Sequence, residues 1–344
     1  MKRFAIFVLA AAVICSMLPL SGCAACSREA FPSESGMMPE SQPDYTPYIP
    51  EPEDSEPEEE EFEEEEEEPQ ELPALSMSAD FLEIEKMENE SVLWGPGVHK
   101  DDKGRSTACI DLQEKYGEYN AYFIGPEDSN TITLTFDQGY ENGYTTPILD
   151  ALKEKDAKAV FFLTGHYVRS QPELVQRMID EGHILGSHSN SHKVYCKDLS
   201  IEESFEDAKW MQDYLRDNFG YEMRLFRFPE GEFSPQSLAL MQQMGYQSIF
   251  WSFAYADWNV NDQPEPAAAI EKITDFLHPG EIMLLHSVSS TNAEILPQVI
   301  DIIREKGYEI GPFEGMAHDP VLTERLVSEA ENRAESEVES EKAE

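Results

Sequence analysis

The chain has 344 residues, of which 69 are Asp or Glu and 25 are Lys or Arg, so its formal net charge is −44. This acidic balance argues against nucleic-acid binding, because a phosphate backbone is bound by a basic protein face. The same charge repels anionic lipid, so attachment to a membrane would need something other than a basic surface.

Residues 1–22 have the pattern of an export signal. Lys2 and Arg3 form a positive start, and the apolar run from Phe4 to Leu20 is too short for a membrane span with its own stop-transfer flank. The tetrad LSGC, which ends at Cys23, resembles the bacterial lipobox and implies cleavage before Cys23 and acylation of its thiol. The alternative is an ordinary signal peptide with an incidental cysteine. We expect the mature protein on the outer face of the cytoplasmic membrane, attached through the lipid alone.

Two segments are predicted to lie outside the folded domain. Residues 23–78 form an acidic spacer rich in Pro and Glu, and residues 51–71 alone carry fifteen Asp or Glu and no Lys or Arg. Such a segment cannot bury enough apolar surface to fold, and its like charges repel one another. A calcium or partner site in the spacer is the alternative. Residues 317–344 are an acidic tail, predicted as a frayed helix or a disordered segment.

Residues 79–316 are predicted to form one α/β domain in which strands alternate with helices. The predicted strands are a run ending at Asp137, Ala159–Leu163, Ile184–Ser187, Arg224–Phe228, Ser248–Phe253 and Ile282–His286. The predicted helices are Pro147–Lys155, Pro172–Glu181, Ile201–Asp217, Pro235–Met244, Ala267–Leu277 and Ala293–Lys306. This order favours a parallel sheet or barrel, in which chemistry gathers at the carboxyl ends of the strands.

A carboxylate at a strand end and a pair of histidines are the first candidate site residues. Asp137 follows an alternating apolar run, and Gly139 then permits a sharp turn, so Asp137 and Gln138 are expected at the mouth of the strand. His188 and His192 are four residues apart, which would place both rings on one face of a helical turn and offer two nitrogens to one metal ion. Together these residues indicate a mononuclear metal site with a base beside it.

Five ordered segments resemble a known family. They are TFDQG from Thr135, HSNSH from His188, RFPEG from Arg227, ADW from Ala256 and LLH from Leu284. Their order and spacing are similar to those of the polysaccharide deacetylases with a NodB-type domain, carbohydrate esterase family 4. Longer segments, among them TFDQGYENGYT and LLHSVSSTNAE, resemble its delta-lactam-biosynthetic branch, which acts on muramic acid in spore-cortex peptidoglycan. The resemblance covers about residues 85–315 and none of the spacer.

The resemblance implies a distorted (β/α) barrel that hydrolyses an N-acetyl group with the help of a divalent metal ion. Zinc is the first expectation, and cobalt, manganese and magnesium are compatible. Asp137 would be the general base, oriented by Arg227, and His286 the general acid, tuned by Asp257. The implied metal ligands are His188, His192 and Gln138. The candidate substrate-binding residues are Tyr140, Trp258, Phe228 and Pro229. The alternative for Tyr140 is packing at the rim, and for Trp258 a place in the wall or core is favoured, although beside Asp257 it could serve both purposes.

Two departures from the family pattern bear on this expectation. Gln138 stands where the family usually has a second metal-binding Asp, and an amide oxygen brings no charge to the metal. The muramic-acid branch is itself marked by an amide residue there, so Gln138 supports that branch. Phe228 stands where the family prefers proline, which puts the wall of the groove in doubt.

The sequence thus predicts a membrane-tethered peptidoglycan N-deacetylase that favours N-acetylmuramic acid, whose freed amine could then close to a lactam. The glycan strand is the expected partner, and no protein partner is indicated. An N-acetylglucosamine deacetylase is the nearest alternative. A carbohydrate-binding lipoprotein without turnover is the alternative of another class. The pairing of Cys109 with Cys196 stays open.

Overall fold

A computed structural model of the chain describes Leu75, residues 77–318, and residues 325, 327, 328 and 332. The predicted signal peptide, Cys23, and nearly all of the predicted spacer and tail lie outside the described residues. The four described positions beyond 318 are helical. Within the described residues, no helix combines the length and the apolar character needed to cross a membrane.

The longest strand, β3, is buried along almost its whole length, as expected of a parallel strand covered on both faces. In chain order the strands are β1 Val92–Leu93, β2 Ala121–Tyr122, β3 Thr131–Gln138, β4 Val160–Leu163, β5 Ile184–Ser187, β6 Leu225–Phe226, β7 Glu232–Phe233, β8 Gln247–Ile249, β9 Phe253–Ala254, β10 Ile282–His286 and β11 Glu309–Ile310.

Nine of these strands form one parallel sheet in the order β2-β8-β6-β5-β4-β3-β10-β9, with β11 also paired to β3. The sheet curves into a half-barrel and confirms the predicted distorted (β/α) barrel. β1 and β7 form a separate antiparallel pair. Because all nine strands run in one direction, their carboxyl ends lie at one edge of the sheet.

Helices cover the sheet between the strands, and several begin at side-chain caps. Ser200 and Glu203 form a capping box at the start of the longest helix, which ends at Gly220 in the left-handed conformation (φ 65°). The α-helices are α1 Phe81–Ile84, α2 Thr107–Tyr116, α3 Thr145–Glu154, α4 Gly165–Ser170, α5 Pro172–Asp180, α6 Tyr195–Asp198, α7 Ile201–Phe219, α8 Pro235–Gln243, α9 Pro266–Phe276 and α10 Ser290–Glu305.

One predicted strand is wrong, because the structure divides it between two distant parts of the sheet. The sequence predicts one strand over Ser248–Phe253, but the segment joins two short strands: β8, which lies next to the end strand β2, and β9, which lies at the other end of the sheet order. Between them, the Phe250 N–H donates to the Tyr122 carbonyl, whereas the Ser252 N–H donates to the Ile282 carbonyl. Residues 250–252 therefore carry the chain from one edge of the half-barrel to the other, which brings the two edges together.

The antiparallel pair β1–β7 holds an N-terminal segment against the barrel. Val92 is opposite Phe233 and Leu93 is opposite Glu232, and the Trp94 N–H continues the pattern by donating to the Gly231 carbonyl at 3.1 Å. The Trp94 indole also donates to the Trp251 carbonyl at 3.1 Å. This pairing was not predicted, and it places residues 94–96 beside the carboxyl ends of the sheet.

Candidate active site

Five strand ends bring the predicted groups together. Asp137 at the end of β3 is the register partner of His286 at the end of β10, and His188 follows directly after β5. Arg227 lies just beyond β6, and Asp257 lies three residues beyond β9. The predicted base, acid and orienting residues therefore meet at the carboxyl edge of the sheet, where parallel α/β folds place their chemistry.

Asp137 is held by a buried arginine. The Arg227 Nη1 donates to Asp137 Oδ1 at 2.9 Å and to Thr135 Oγ1 at 2.8 Å, and its other nitrogens donate to the carbonyls of Ile249 and Phe250. Burial raises the pKa of Asp137, but Arg227, together with His188 and His286, lowers it more, so the pKa lies below the usual value of 3.8. Asp137 is therefore ionised at neutral pH, with Oδ2 not engaged by Arg227.

His286 is paired with a fully buried carboxylate. Its Nδ1 lies 2.7 Å from Asp257 Oδ1, and its backbone N–H donates to Asp257 Oδ2 at 2.7 Å. Burial lowers the pKa of His286, but the hydrogen bond and charge of Asp257 have the larger effect, so the pKa lies above the usual value of 6.5. Because Nδ1 is taken by Asp257, the other ring nitrogen, Nε2, is the one left to act in the cleft.

The histidine pair lies in a loop, and the predicted helical turn is wrong. Ser189 and His192 have left-handed backbone angles (φ 67° and 56°), which no helical turn contains. The two rings nevertheless meet, with centroids 4.9 Å apart and planes at 77°. His188 Nδ1 lies 2.9 Å from the Arg227 carbonyl, which leaves Nε2, 3.5 Å from Asp137 Oδ2, as the unprotonated nitrogen. Burial lowers the pKa of His188 to about 4, so the ring is neutral.

The third predicted metal ligand does not join this pair. Gln138 is fully buried, does not border the cleft, and donates through Nε2 to Ser287 Oγ at 2.7 Å. Its Oε1 is buried without a hydrogen-bond partner, so the amide has spare acceptor capacity, but not toward the cleft. Across the described residues, no cluster of three or more His, Cys, Asp or Glu side chains could hold a metal ion. Of the three predicted ligands, His188 and His192 are therefore the two that border the cleft and could offer their imidazoles to a divalent ion.

A cleft of about 980 Å³ opens beside these groups, large enough for a sugar unit. Asp137, His188, His192 and His286 border it. Tyr140 and Trp258 also border it and are 46% and 57% exposed, so they can reach a saccharide that lies across the mouth. The Trp258 ring packs edge-on to His286, with centroids 6.0 Å apart.

Phe228 and Pro229, which are predicted to contact substrate, lie outside the cleft lining. Both residues are buried, and neither borders the cleft. Phe228 packs instead on Phe226, with ring centroids 4.9 Å apart, inside an aromatic cluster. The wall near Arg227 is formed by the next two residues, Glu230 and Gly231, because the turn at Glu230 (φ 59°) redirects the chain toward the cleft.

Some residues at the site were missed by the sequence analysis. Trp94, Gly95 and Pro96 form part of the cleft wall, and their Gly-Pro sequence indicates only a turn, with no signal of its location. Asn292 contacts both Asp257 and His286, and it lies within a segment that resembles the delta-lactam branch but received no role. The thiols of Cys109 and Cys196 are both free, so the possible pairing does not occur.

A parallel half-barrel with a carboxylate and a paired imidazole at its strand ends is the architecture of an α/β-barrel hydrolase. The chain belongs to the polysaccharide deacetylase family, carbohydrate esterase family 4, and is therefore a hydrolase that acts on carbon–nitrogen bonds. The polysaccharide deacetylase profile matches residues 124–249. The family is typically metal-dependent.

Three relatives illustrate the match. The chain is 43% identical over 221 residues to an uncharacterized 30.6 kDa protein of Geobacillus stearothermophilus, covering 64% of this chain and 83% of that one. It is 36% identical to the peptidoglycan-N-acetylmuramic acid deacetylase PdaA of Bacillus subtilis, covering 68% and 89%. The PdaA structure superposes with a TM-score of 0.61, over 65% of this chain and 95% of that one. A Bacillus cereus peptidoglycan-N-acetylglucosamine deacetylase is 33% identical, covering 55% and 71%.

Proposed function

We propose that this protein is a peptidoglycan N-deacetylase whose substrate is N-acetylmuramic acid. The observation that carries the proposal is the pairing of a carboxylate base with an imidazole acid on adjacent strands, Asp137 beside His286. The amide at position 138 and the similarity to a muramic acid deacetylase favour muramic acid as the sugar.

In the proposed reaction, Asp137 acts first. Its ionised carboxylate takes a proton from water as the water oxygen attacks the acetyl carbonyl carbon. Arg227 holds Oδ1, which leaves Oδ2 to accept this proton, and the buried guanidinium keeps the carboxylate ionised until then. Arg227 thereby orients the base without touching the substrate.

His286 completes the proposed reaction by protonating the sugar nitrogen. The bond from carbonyl carbon to nitrogen breaks as Nε2 gives up its proton, because an amide anion leaves too poorly unaided. Asp257 holds Nδ1 and stabilises the protonated ring before transfer. The products are acetate and a muramyl amine, which could then close to a lactam.

His188 and His192 are the residues that would hold a divalent metal ion in this proposal. Such an ion, when bound, supplies Lewis acidity toward the acetyl carbonyl and lowers the pKa of a bound water. The tautomer of His188 supports the assignment, since its contact with the Arg227 carbonyl leaves Nε2 as an available donor. Zinc suits imidazole ligands best among the expected ions.

We further propose that residues 79–316 are the catalytic domain and that it works outside the cytoplasm. The lipobox-like sequence before Cys23 and the acidic segment 23–78 would tether the domain to the membrane and let it reach the wall. N-acetylglucosamine remains the second candidate substrate, supported by the similarity to the Bacillus cereus enzyme. A binding protein without turnover is disfavoured, because binding needs no matched base and acid.

The proposed substrate is tested by acetate release from two glycans. Peptide-free muramic-acid glycan and N-acetylglucosamine oligomers are each incubated with the purified protein, and acetate is quantified over time. We expect turnover of the muramic-acid glycan and weak or no turnover of the oligomers. Turnover of the oligomers alone would assign the second substrate. Binding of either glycan without acetate release would assign the binding protein.

Removal of metal is expected to lower the rate of acetate release by at least about tenfold, because metal-assisted polarisation of a carbonyl contributes several kcal/mol. The protein is dialysed against chelator, its metal content is measured by elemental analysis, and activity is compared before and after zinc is restored. Because only two of the predicted metal ligands, His188 and His192, border the cleft, we expect the metal to be removed readily. Full activity in protein shown to be metal-free would contradict this prediction.

A further inference from the structure

Asp257 contacts a second residue, Asn292, besides His286, whose pKa it raises. The side-chain amide of Asn292, in the first turn of α10, donates through Nδ2 to Asp257 Oδ2 at 2.6 Å. The same nitrogen lies 3.1 Å from the His286 carbonyl. Asn292 is only 1% exposed, so water does not compete for these contacts.

The orientation of the Asn292 amide follows from its partners. The carboxylate of Asp257 and the carbonyl of His286 can only accept hydrogen bonds, so the amide nitrogen has to face them. The amide oxygen then faces Tyr255, whose hydroxyl donates to Asn292 Oδ1. Burial raises the pKa of Tyr255 far above neutrality, so this hydroxyl keeps its proton. A single hydrogen-bonded chain thus runs from Tyr255 through Asn292 and Asp257 to His286.

This chain connects the wall of the cleft to the proposed acid. Tyr255 borders the cleft, whereas Asn292 and Asp257 lie behind it. Without Asn292, Asp257 Oδ2 would retain only the His286 backbone N–H, and the carboxylate could turn away from the imidazole. Without Tyr255, the Asn292 amide oxygen would lose its hydroxyl donor, and the amide would be held at its nitrogen end alone.

We infer that Asn292 is a positioning residue of the deacetylase, held in turn by Tyr255. It fixes the Asp257 carboxylate so that His286 presents a protonated Nε2 to the leaving nitrogen. The inference rests on the proposed function, because it assigns Asn292 to the acid half of the reaction. Asn292 itself does not touch the substrate.

The test compares a substrate that needs the acid with one that does not. An N-acetyl sugar requires protonation of its nitrogen, whereas 4-nitrophenyl acetate releases a phenolate that leaves unaided. In Asn292→Ala and Tyr255→Phe, we expect kcat for the N-acetyl sugar to fall by roughly tenfold or more, because general acid catalysis contributes 10²–10⁴-fold in all. The kcat for the ester should fall less than about threefold.

Ser289→Ala is the matched control. Ser289 Oγ accepts from the Asn292 backbone N–H at 3.0 Å and donates to Gln263 Oε1 at 2.6 Å, so this variant weakens the start of α10 without removing any contact of the Asn292 side chain. We expect it to lower the melting temperature and to leave the ratio of the two activities unchanged. An equal loss on both substrates in Asn292→Ala and Tyr255→Phe would overturn the inference, and so would a changed ratio in Ser289→Ala.

A second measurement is independent of turnover. The ¹⁵N shifts of the His286 imidazole, assigned by comparison with His286→Gln, report which ring nitrogen carries the proton. At a pH above the pKa of His286, where the ring is neutral and has lost its Nε2 proton, we expect Nδ1–H in the unaltered protein and a mixture of tautomers or a shifted signal in Asn292→Ala. An unchanged spectrum would overturn the inference. If the unaltered protein deacetylates neither glycan, the proposed function fails, and this spectrum still decides whether Asn292 positions His286.

Discussion

Replacing Asp137 with asparagine is expected to reduce acetate release by about 10²–10⁴-fold, the usual contribution of a general base. Asparagine has nearly the same shape but cannot accept the proton from water. The measurement is kcat on the preferred glycan, together with glycan binding by calorimetry, which we expect to survive. Activity within a few-fold of the unaltered protein would refute the role of Asp137 as base.

The same substitution removes the charge partner of a buried arginine. Arg227 is fully buried, and breaking a buried ion pair costs about 3–5 kcal/mol, so the melting temperature should also fall. Its contacts with Thr135, Ile249 and Phe250 remain and should preserve the fold. Glu281→Gln is the control: Glu281 is a fully buried carboxyl group 3.2 Å from His278 Nδ1, and it lies just before β10, at the opposite end of that strand from His286. We expect it to change stability and not turnover.

Replacing His286 with alanine is expected to abolish deacetylation while sparing an ester that needs no acid. We expect a loss of about 10²–10⁴-fold on the N-acetyl sugar and a much smaller loss on 4-nitrophenyl acetate. Both rates are measured on the same preparation, so a folding defect would lower them together. Asp137→Asn, by contrast, should lower both, because both reactions need the base. Equal losses in His286→Ala would contradict its role as acid.

The pH dependence of kcat/KM should reflect the pKa values of the same base and acid. The pKa of Asp137 is lowered, so the acid limb of kcat/KM should lie below the usual carboxyl range, and the pKa of His286 is raised, so the alkaline limb should lie above 6.5. The contribution of the protonated His286 to the free energy of unfolding is fully present below pH 6.5 and is lost as the pH rises through the pKa of the folded state. In Asp257→Asn the alkaline limb should move to lower pH. An unmoved limb would show that another group controls it.

Local patterns in the sequence predicted much of the fold. Strands β5 and β10 have the predicted bounds, because each is a short apolar run that ends at a polar residue. Helix α2 was missed, since only two of its residues, Cys109 and Tyr116, are buried and its apolar face is narrow. The division of Ser248–Phe253 into two strands could not be predicted, because both halves are equally apolar and only their pairing partners differ.

The candidate site, too, could be predicted only in part. The types and order of the functional side chains, from Asp137 to His286, are written in the sequence, and so is the amide at position 138. Whether these side chains meet depends on contacts across 90 positions for Asp137 with Arg227 and 29 for Asp257 with His286. Strand register decides such contacts, and the apolar pattern specifies it poorly in parallel strands that are buried on both faces, such as β3 and β10.

The sequence by itself determined which chemical groups the protein carries: a carboxylate at a strand end, two neighbouring histidines, and the base and acid that the family resemblance implied. The tertiary structure decided which of them face the cleft. It turned Gln138, Phe228 and Pro229 away from the cleft, because backbone turns and burial set the direction of each side chain. It also brought in Asn292, whose proposed role depends on the contacts of the first turn of α10 with Asp257 and His286, which no local pattern encodes.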